Sequence, residues 1–358
     1  TDKPTKRYYL RKNTTVAADE VESLGETNTG EPRFLLDFIK WGVSQYPAEH
    51  FMLVLWNHGQ GWDDTDIFAG ERVRGSRFLR PSRIRHAFFR SSVVKAAKMS
   101  ATDGKTARAI LIDDDAKDFL DSLEMKKVLS DAKTFLSRKI DIVGMDACLM
   151  SMAEVCHQLR SSSAYMIGSE ETEPLDGWPY DTILEFLSTN PELTPRNLSK
   201  QVVKKYIDAY RGTGEAVTQA ACNLMVSNKF AEAVMVLADV LKTGLTHERT
   251  CGIILQARNR VQEYQVMDNV DLVHFCQLLK SAGVSSSIAE SCDHIIEIVT
   301  KASGFVTASG YLGTAMKNSH GVAIYFPTRS VSPLYARLDF PRKTGWGKFL
   351  KAYIAATR

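Results

Sequence analysis

The sequence lacks any run of about 20 consecutive apolar residues, the length that a membrane-spanning helix requires. It also lacks, at its start, the basic segment and the short apolar segment of a secretory signal peptide. We therefore expect neither a membrane span nor a signal peptide in this chain. The first residue is Thr1 rather than methionine, which is typical of a processed or truncated chain.

The sequence also has little net charge, no low-complexity tract and no internal repeat. Its 45 basic and 42 acidic residues leave a formal charge of +3, too small to predict nucleic acid or an anionic membrane as a partner. With 44% hydrophobic residues among 358, the chain can bury one large core or two modest ones. These features predict a globular protein rather than a disordered or repetitive one.

Cysteine is sparse, and no metal or nucleotide motif is evident. The six cysteines are scattered, without the density of a disulfide scaffold or the CxxC spacing of a zinc site. We expect most of them to be buried thiols, although one disulfide such as Cys251–Cys292 is compatible with the spacing. The GQGW segment at residues 59–62 matches neither a Walker motif nor a dinucleotide-binding motif, so we do not expect a nucleotide-binding version of the fold.

Short apolar runs alternate with amphipathic helical patterns in the first half of the chain. Continuous apolar runs, typical of strands buried on both faces of a parallel sheet, occur at residues 51–56, 140–145 and 165–168. Apolar residues at helical spacing predict helices at residues 34–45, 123–136 and 149–159. This alternation predicts an α/β fold with a mostly parallel sheet sandwiched by helices.

The second half of the chain reads as mostly helical. Helices are predicted at residues 195–210, 229–241, 271–279, 288–301 and 345–353, with a strand at residues 322–326. We place a boundary at residue 190, which gives a core at residues 1–190 and a helix-rich C-terminal region at residues 191–358, packed on the core. Within the core, residues 63–105 are a polar, basic stretch that is too long for an ordinary connection.

Two reactive side chains follow two of the predicted strands. His58 comes just after the strand at 51–56, and Cys148 comes just after the strand at 140–145. Because ligand sites form at the carboxyl ends of parallel strands, we expect the two side chains to lie close together. An imidazole can take the thiol proton, and a helix starting directly after Cys148 would further favour the thiolate. The alternative is a structural histidine and a core cysteine.

Gly59 lies next to the candidate base in the sequence. A residue without a side chain lets backbone N–H groups approach a negatively charged oxygen closely. The backbone N–H groups of Gly59 and Cys148 are therefore candidates for an oxyanion hole, which stabilises the charge that develops during acyl transfer.

Longer blocks around these residues resemble the clostripain family of cysteine peptidases, which belongs to the clan of caspases, legumain, separase and gingipain. The blocks are LVLWNHGQGW, DIVGMDACLMSMAEV and MIGSEETEPLDGWPY, with further matches at residues 24–51, at HGVAIYFP and at TGWGKFLKAY. The similarity spans nearly the whole chain. It implies a caspase-like fold and a cysteine endopeptidase with His58 as its catalytic histidine and Cys148 as its nucleophile.

The resemblance also implies cleavage after arginine or lysine. Asp146, two residues before the nucleophile, matches the acid at the floor of the S1 pocket, which binds the P1 side chain preceding the cleaved bond. A buried carboxylate selects a cationic side chain, because a neutral one leaves the charge unpaired. Glu173 and Asp176 are candidates to complete this pocket. Alternatively, Asp146 orients its loop and the other two acids are solvated.

Members of this family are commonly cut in the loop after the histidine, into light and heavy chains that stay associated. Here the basic stretch offers Arg72, Arg74 and Arg77, and the bond after Arg72 is preferred by its position relative to His58. A peptidase specific for basic P1 residues could cut its own loop there and so activate itself. The alternative is an uncut, solvated loop.

The chemistry requires no cofactor, but some relatives depend on calcium. The oxygen ligands that calcium prefers are present at Asp113, Asp114, Asp115 and Asp118, without the glycine and terminal glutamate of an EF-hand. We assign no metal site there, and a solvated acidic loop is the alternative. The expected partners are protein or peptide substrates with a basic P1 residue, and the resemblance points to an extracellular or cell-envelope location.

Two other functions are compatible with the same residues. The first is a catalytically silent, caspase-like binding or scaffold protein that retains the cysteine and the histidine. The second is an amidase that acts on non-peptide C–N bonds. An acid in the S1 pocket favours the peptidase over the amidase.

Overall fold

A computed structural model of the chain describes residues 4–57, 59, 61–62, 110–113 and 118–357. Its strands are β1 (Thr5–Tyr8), β2 (Glu20–Gly25), β3 (Met52–Trp56), β4 (Ile110–Asp113), β5 (Asp118–Leu120), β6 (Ile140–Asp146), β7 (Ser163–Gly168), β8 (Thr218–Asn223), β9 (Asn269–Asp271), β10 (Val306–Tyr311) and β11 (Ala323–Tyr325). Its α-helices are α1 (Pro32–Gln45), α2 (Ser122–Leu136), α3 (Ala153–Leu159), α4 (Tyr180–Thr189), α5 (Pro195–Tyr210), α6 (Ser227–Gly244), α7 (Glu248–Arg260), α8 (Leu272–Ser281), α9 (Ser286–Thr300), α10 (Asp339–Thr344) and α11 (Trp346–Ala356).

A five-stranded sheet forms the centre of the fold, in the order β10-β8-β7-β6-β3. β3 pairs in parallel with β6, and β6 pairs in parallel with β7. β8 is antiparallel to both of its neighbours, β7 and β10, so β10 runs in the same direction as β3, β6 and β7. The predicted α/β fold with a mostly parallel sheet is confirmed.

Helices cover both faces of this sheet. On one face, buried side chains of β6 and β7, such as Val143 and Met166, belong to a large core with α2, α3 and α6. On the other face, Ile142 and Ile167 belong to a smaller core with residues of α5. This two-sided burial explains why β6 reads as a continuous apolar run, in which Asp141 is the only residue that is not fully buried.

The remaining strands form three two-stranded sheets, β1–β2, β4–β5 and β9–β11. Strands from both sides of residue 190, β7 and β8, are neighbours in the central sheet. The boundary at residue 190 stays a prediction. None of the helices in the described ranges combines the length and the apolar character that a bilayer span needs.

All six cysteines are free thiols. The disulfide between Cys251 and Cys292 that the spacing allowed is not formed. Cys156, Cys222 and Cys276 are buried, as is Cys292, in agreement with the expectation of thiols that pack as small apolar side chains.

Gly144 in β6 provides a test of how closely the sheet is packed. A Cβ atom added at Gly144 would lie 2.8 Å from the ring of Trp178 and 3.3 Å from Val54. We expect Gly144→Ala to lower the free energy of unfolding by about 1–3 kcal/mol through overpacking, measured by urea denaturation. The control is Gly252→Ala in α7, where an added Cβ meets nothing within 4 Å. It should be neutral or stabilising, and equal loss in both variants would contradict the packing argument.

Candidate active site

The register between β3 and β6 brings the chain after β3 to the end of β6. Trp56 is paired with Asp146, and the N–H of Asn57 donates to the carbonyl oxygen of Asp146 at 3.3 Å. Gly59 then contacts the backbone of Cys148 so closely that an added Cβ would overlap the Cys148 carbonyl oxygen. The structure thus brings Gly59 and Cys148 together. His58 lies outside the described residues, and its role stays a prediction.

The residues that follow Gly59 are held from two sides. Gly61 has a positive φ of 69°, and an added Cβ there would lie 3.0 Å from the carbonyl oxygen of Leu149. The Trp62 ring packs edge-on against the rings of Tyr325 and Tyr335, with centroids 4.6 and 4.8 Å away. The segment that carries Gly59 is therefore anchored both to the loop of Cys148 and to the C-terminal part of the chain.

Cys148 lies in an irregular loop between β6 and α3. Leu149 has a positive φ of 63°, a backbone conformation that is uncommon for a residue with a side chain. The loop is fixed by two hydrogen bonds to the chain after β7, from Leu149 N–H to the Glu171 carbonyl oxygen at 3.0 Å and from Ser151 N–H to the Ser169 carbonyl oxygen at 2.8 Å.

One expectation about this loop is wrong. The helix predicted from residue 149 begins only at Ala153, after Met152 in an extended conformation with φ −120° and ψ 147°. No helix therefore starts directly after Cys148, and the expected effect of a helix dipole on its thiol is lost. The backbone of residues 149–152 instead pairs with distant segments, since the Ala323 N–H donates to the Ser151 carbonyl oxygen at 2.9 Å.

The thiol of Cys148 contacts the backbone of Glu173. Its Sγ accepts a hydrogen bond from the Glu173 N–H at 3.3 Å and lies 3.9 Å from the Glu173 carbonyl oxygen. Burial raises the pKa of the Cys148 thiol to about 11, and the nearby acids Glu173 and Glu171 act in the same direction. These surroundings favour the thiol of Cys148 over its thiolate.

Asp146, the last residue of β6, has a buried carboxylate that is 3% exposed. Its Oδ2 accepts hydrogen bonds from the Tyr180 hydroxyl at 2.6 Å and from the Trp178 N–H at 3.1 Å. Gly177 is required beside it, because Gly177 has a positive φ of 64° and an added Cβ would lie 2.8 Å from the same oxygen. The loop at residues 173–180 thus folds over the acid that precedes Cys148.

Glu173 brings a second carboxyl group to the same place. It accepts hydrogen bonds from the indole Nε1–H of Trp178 and from the side-chain amide of Gln219, both at 3.1 Å. Burial raises the pKa of Glu173 well above its usual range, and the hydrogen bond and negative charge of Asp146 raise it further. The structure thus brings Glu173 and Asp146 together. Asp176, the third predicted acid, lies exposed in the same loop.

Four residues of this site were missed by the sequence reasoning. Tyr180, Trp178 and Gln219 hydrogen-bond the two carboxyl groups, and Tyr206 lies close to them behind the sheet. Gln219 carried a signal, since a glutamine inside an apolar run is a polar group that needs a buried partner. The tyrosines carried none, because their hydroxyl groups reach the site only through the packing of α4 and α5.

A second polar network supports the Cys148 loop from behind. The buried carboxylate of Glu170 accepts hydrogen bonds from the Tyr264 hydroxyl at 2.7 Å and from the Gly321 N–H at 3.0 Å. The carbonyl oxygen of Gly321 in turn accepts from the Ser151 hydroxyl at 2.8 Å. Asp271 extends this network by accepting from the His320 backbone N–H and lying 3.0 Å from its ring Nδ1. Residues from the C-terminal half of the chain therefore hold the Cys148 loop in place through hydrogen bonds.

The predicted processing and calcium residues are not described. Arg72, Arg74 and Arg77 lie outside the described residues, as do Asp114 and Asp115. Asp113 and Asp118 lie in β4 and β5, but their side chains are likewise not described. Cleavage in the basic stretch and calcium binding therefore both stay predictions.

A cysteine after β6, a glycine against its backbone and two acids beside it are the arrangement expected of a cysteine peptidase. The model of the clostripain family matches residues 5–76 and 95–353. The chain belongs to this family, and it is a clostripain-type cysteine endopeptidase.

Solved structures share the fold at low sequence identity. An inactive zymogen of a C11 protease from Parabacteroides distasonis is 18% identical with a TM-score of 0.59, covering 91% of this chain and 79% of that one. A secreted C11 cysteine protease from Bacteroides thetaiotaomicron, in complex with an irreversible peptide inhibitor, is 17% identical with a TM-score of 0.59, covering 97% of this chain and 85% of that one. Among curated proteins, none has a significantly matching sequence.

The burial of Cys148 predicts a thiol that reacts slowly at neutral pH in the intact chain. Since the thiolate is the nucleophile and its pKa is raised to about 11, alkylation by iodoacetamide should accelerate by about tenfold per pH unit between pH 7 and 10. Mass spectrometry of the Cys148 peptide measures this rate, with the half-buried Cys251 as an internal reference. A rate that has already levelled off at pH 7 would show that the thiol is ionised.

Proposed function

We propose that this endopeptidase cleaves peptide bonds after arginine or lysine, with Cys148 as nucleophile and Asp146 as the acid that receives the P1 side chain. The observation that carries this proposal is the buried carboxylate of Asp146, two residues before the Cys148 thiol. Glu173 contacts both residues, because its N–H donates to the thiol and its carboxyl group lies near Asp146. A charged group in such a place favours a ligand of opposite charge over a neutral one.

In the proposed reaction, Cys148 attacks the carbonyl carbon of the cleaved bond and forms an acyl-enzyme. His58 takes the thiol proton and then donates it to the departing amine, and water releases the acyl group in the second half of the reaction. The N–H groups of Gly59 and Cys148 stabilise the oxyanion. The close approach of the Gly59 and Cys148 backbones supports this assignment, since only a glycine fits there.

The described arrangement fits a resting form of the enzyme. Burial favours the protonated form of the Cys148 thiol, and the Tyr180 hydroxyl already donates a hydrogen bond to Asp146. We propose that cleavage within residues 63–105, preferably after Arg72 and otherwise after Arg74 or Arg77, activates the enzyme. A cut in this stretch would change the restraints on the segment around Gly59, which contacts the Cys148 loop.

We further propose that the two chains produced by this cut stay associated. The first chain would contain β3, whose parallel pairing with β6 runs over five residue pairs from Met52 to Trp56. It would also contain Trp62, whose ring packs against Tyr325 and Tyr335. Buried apolar side chains and sheet hydrogen bonds hold such pieces together without a covalent link.

No cofactor enters the proposed reaction, and no calcium site is assigned at Asp113, Asp114, Asp115 and Asp118, which stay candidates for calcium binding. Protein or peptide substrates with a basic P1 residue are the proposed partners. The description of the Bacteroides thetaiotaomicron relative as secreted supports an extracellular or cell-envelope location.

Turnover of matched peptides tests the proposal. The kcat/KM for peptides with arginine or lysine at P1 should exceed that for the matched glutamine peptide by at least about 100-fold. The reason is that leaving a buried charge unpaired costs about 3–5 kcal/mol. Cys148→Ala should abolish turnover, whereas Cys251→Ala, which removes the other half-buried thiol, should retain it. Asp146→Asn should reduce the ratio between the arginine and glutamine peptides.

Each alternative function has its own outcome in this assay. Intact and deliberately nicked protein that both leave every peptide uncut, with or without calcium, would indicate a silent binding or scaffold protein. Turnover of small amides in preference to peptides would indicate an amidase. Equal turnover of arginine and glutamine peptides would contradict the role of Asp146.

The proposed processing makes a separate prediction. Incubation of the wild-type chain should yield two fragments on a denaturing gel, with a new amino terminus after Arg72, that elute together from a native sizing column. Cys148→Ala should stay intact until active enzyme is added. Arg72→Ala should move the cut to Arg74 or Arg77, and cleavage of the isolated Cys148→Ala chain would point to a contaminating protease.

A further inference from the structure

The Asp146 carboxylate is closed off from solvent in this structure. It is 3% exposed, and the loop at residues 173–180 folds over it. Gly177 approaches it so closely that an added Cβ atom would lie 2.8 Å from Oδ2. The backbone N–H of Trp178 donates to the same oxygen at 3.1 Å. A P1 side chain therefore cannot reach this acid until one of the groups that cover it moves aside.

The Tyr180 hydroxyl also covers this oxygen, and it can leave without a change in the backbone. It donates to Asp146 Oδ2 at 2.6 Å, from a residue that is 38% exposed. Tyr180 is the first residue of α4, and its N–H donates to the Trp178 carbonyl oxygen at 2.8 Å. Rotation of the side chain leaves this backbone bond intact. The covering groups of Gly177 and Trp178, by contrast, belong to the backbone itself.

The hydroxyl gives the acid what the head of a basic side chain would give it, a hydrogen-bond donor. A buried carboxylate without donors is costly, so the Tyr180 hydroxyl satisfies Asp146 while no substrate is bound. A carboxylate oxygen accepts about two hydrogen bonds, and Oδ2 already accepts those from Trp178 and Tyr180. A donor that enters at this oxygen therefore has to replace one of them.

We propose that the Tyr180 hydroxyl competes with the P1 side chain for Asp146, so that Tyr180 limits the affinity of the pocket and its preference for basic residues. This inference rests on the proposed function, since it concerns the same pocket. On binding, the Tyr180 side chain turns away, and the guanidinium or ammonium group of the substrate takes its place at Oδ2. A charged donor offsets the loss of the hydroxyl bond, whereas a neutral side chain does not.

A supporting role for Tyr180 would have the opposite consequence. If the hydroxyl oriented the Asp146 carboxylate for the substrate, its removal would weaken the binding of a basic side chain. If it competes with the substrate, its removal strengthens that binding. Tyr180→Phe removes the hydroxyl oxygen and keeps the ring, which stacks with that of Trp178 at a centroid distance of 6.4 Å. The sign of the change in affinity thus decides between the two roles.

Inhibition by acetyl-arginine amide measures this sign. The full chain is assayed intact and after nicking in its basic stretch, and the inhibition constant is determined against the arginine peptide. Tyr180→Phe should lower this constant by about tenfold, since a hydrogen bond to a charged group is worth at least that factor in affinity. The ratio of kcat/KM between the arginine and glutamine peptides should rise by the same factor.

Tyr210→Phe is the matched control for a general loosening of the loop. The Tyr210 hydroxyl donates to the Gly177 carbonyl oxygen at 2.7 Å, so its removal frees the same loop and leaves the hydrogen bonds of Asp146 in place. This variant should not reproduce the gain in affinity. Circular dichroism checks the folding of each variant. Tyr180→Leu, which also lacks the hydroxyl, should bind acetyl-arginine amide more tightly than the wild type and replaces Tyr180→Phe if that variant does not fold.

The outcomes separate this inference from the proposed function. An inhibition constant that rises or stays the same in folded Tyr180→Phe overturns the inference and leaves the preference for basic residues intact. An equal gain in Tyr210→Phe assigns the effect to the loop as a whole and also overturns the inference. A wild-type enzyme that cuts arginine and glutamine peptides equally overturns the proposed specificity, and the inference fails with it.

Discussion

The parallel register between β3 and β6 is the constraint on which the site depends. Pairing of Trp56 with Asp146 ends both strands at the same edge of the sheet, so that the next few residues of each chain segment must meet there. A slip by one residue would exchange the two faces of β3 and remove Leu53 and Leu55 from the large core in which they are buried. Packing in the core therefore fixes the register that brings Gly59 to Cys148, which itself packs against that core.

Burial has two opposed effects at this site. It protects the charge of Asp146 from screening by solvent, which would sharpen the proposed preference for a basic P1 residue. The same burial opposes ionisation of Glu173 and of the Cys148 thiol, whose pKa values are both raised. Glu173 and the Cys148 thiol therefore hold their protons more tightly than free side chains do.

Features that follow from local sequence were predictable, and features that follow from distant packing were not. The buried strands β3 and β6 stood out as apolar runs, and the positions of Gly59, Asp146 and Cys148 follow from where those runs end. The start of α3 at Ala153 was missed because the backbone before it pairs with Ala323, far along the chain. For the same reason Tyr180 and Tyr206 could not be assigned to the site, since helix packing brings them there.

The dependence of the Cys148 loop on the C-terminal segment has a consequence for synthesis of the protein. Ser151 is bonded through its hydroxyl to Gly321 and through its carbonyl oxygen to Ala323, and Trp62 packs against Tyr325 and Tyr335. A ribosome makes Cys148 long before it makes these partners. We expect a nascent chain to lack a formed nucleophile loop until residues 321–335 have left the ribosome. The order of translation thus delays peptidase activity until well after Cys148 itself has been made.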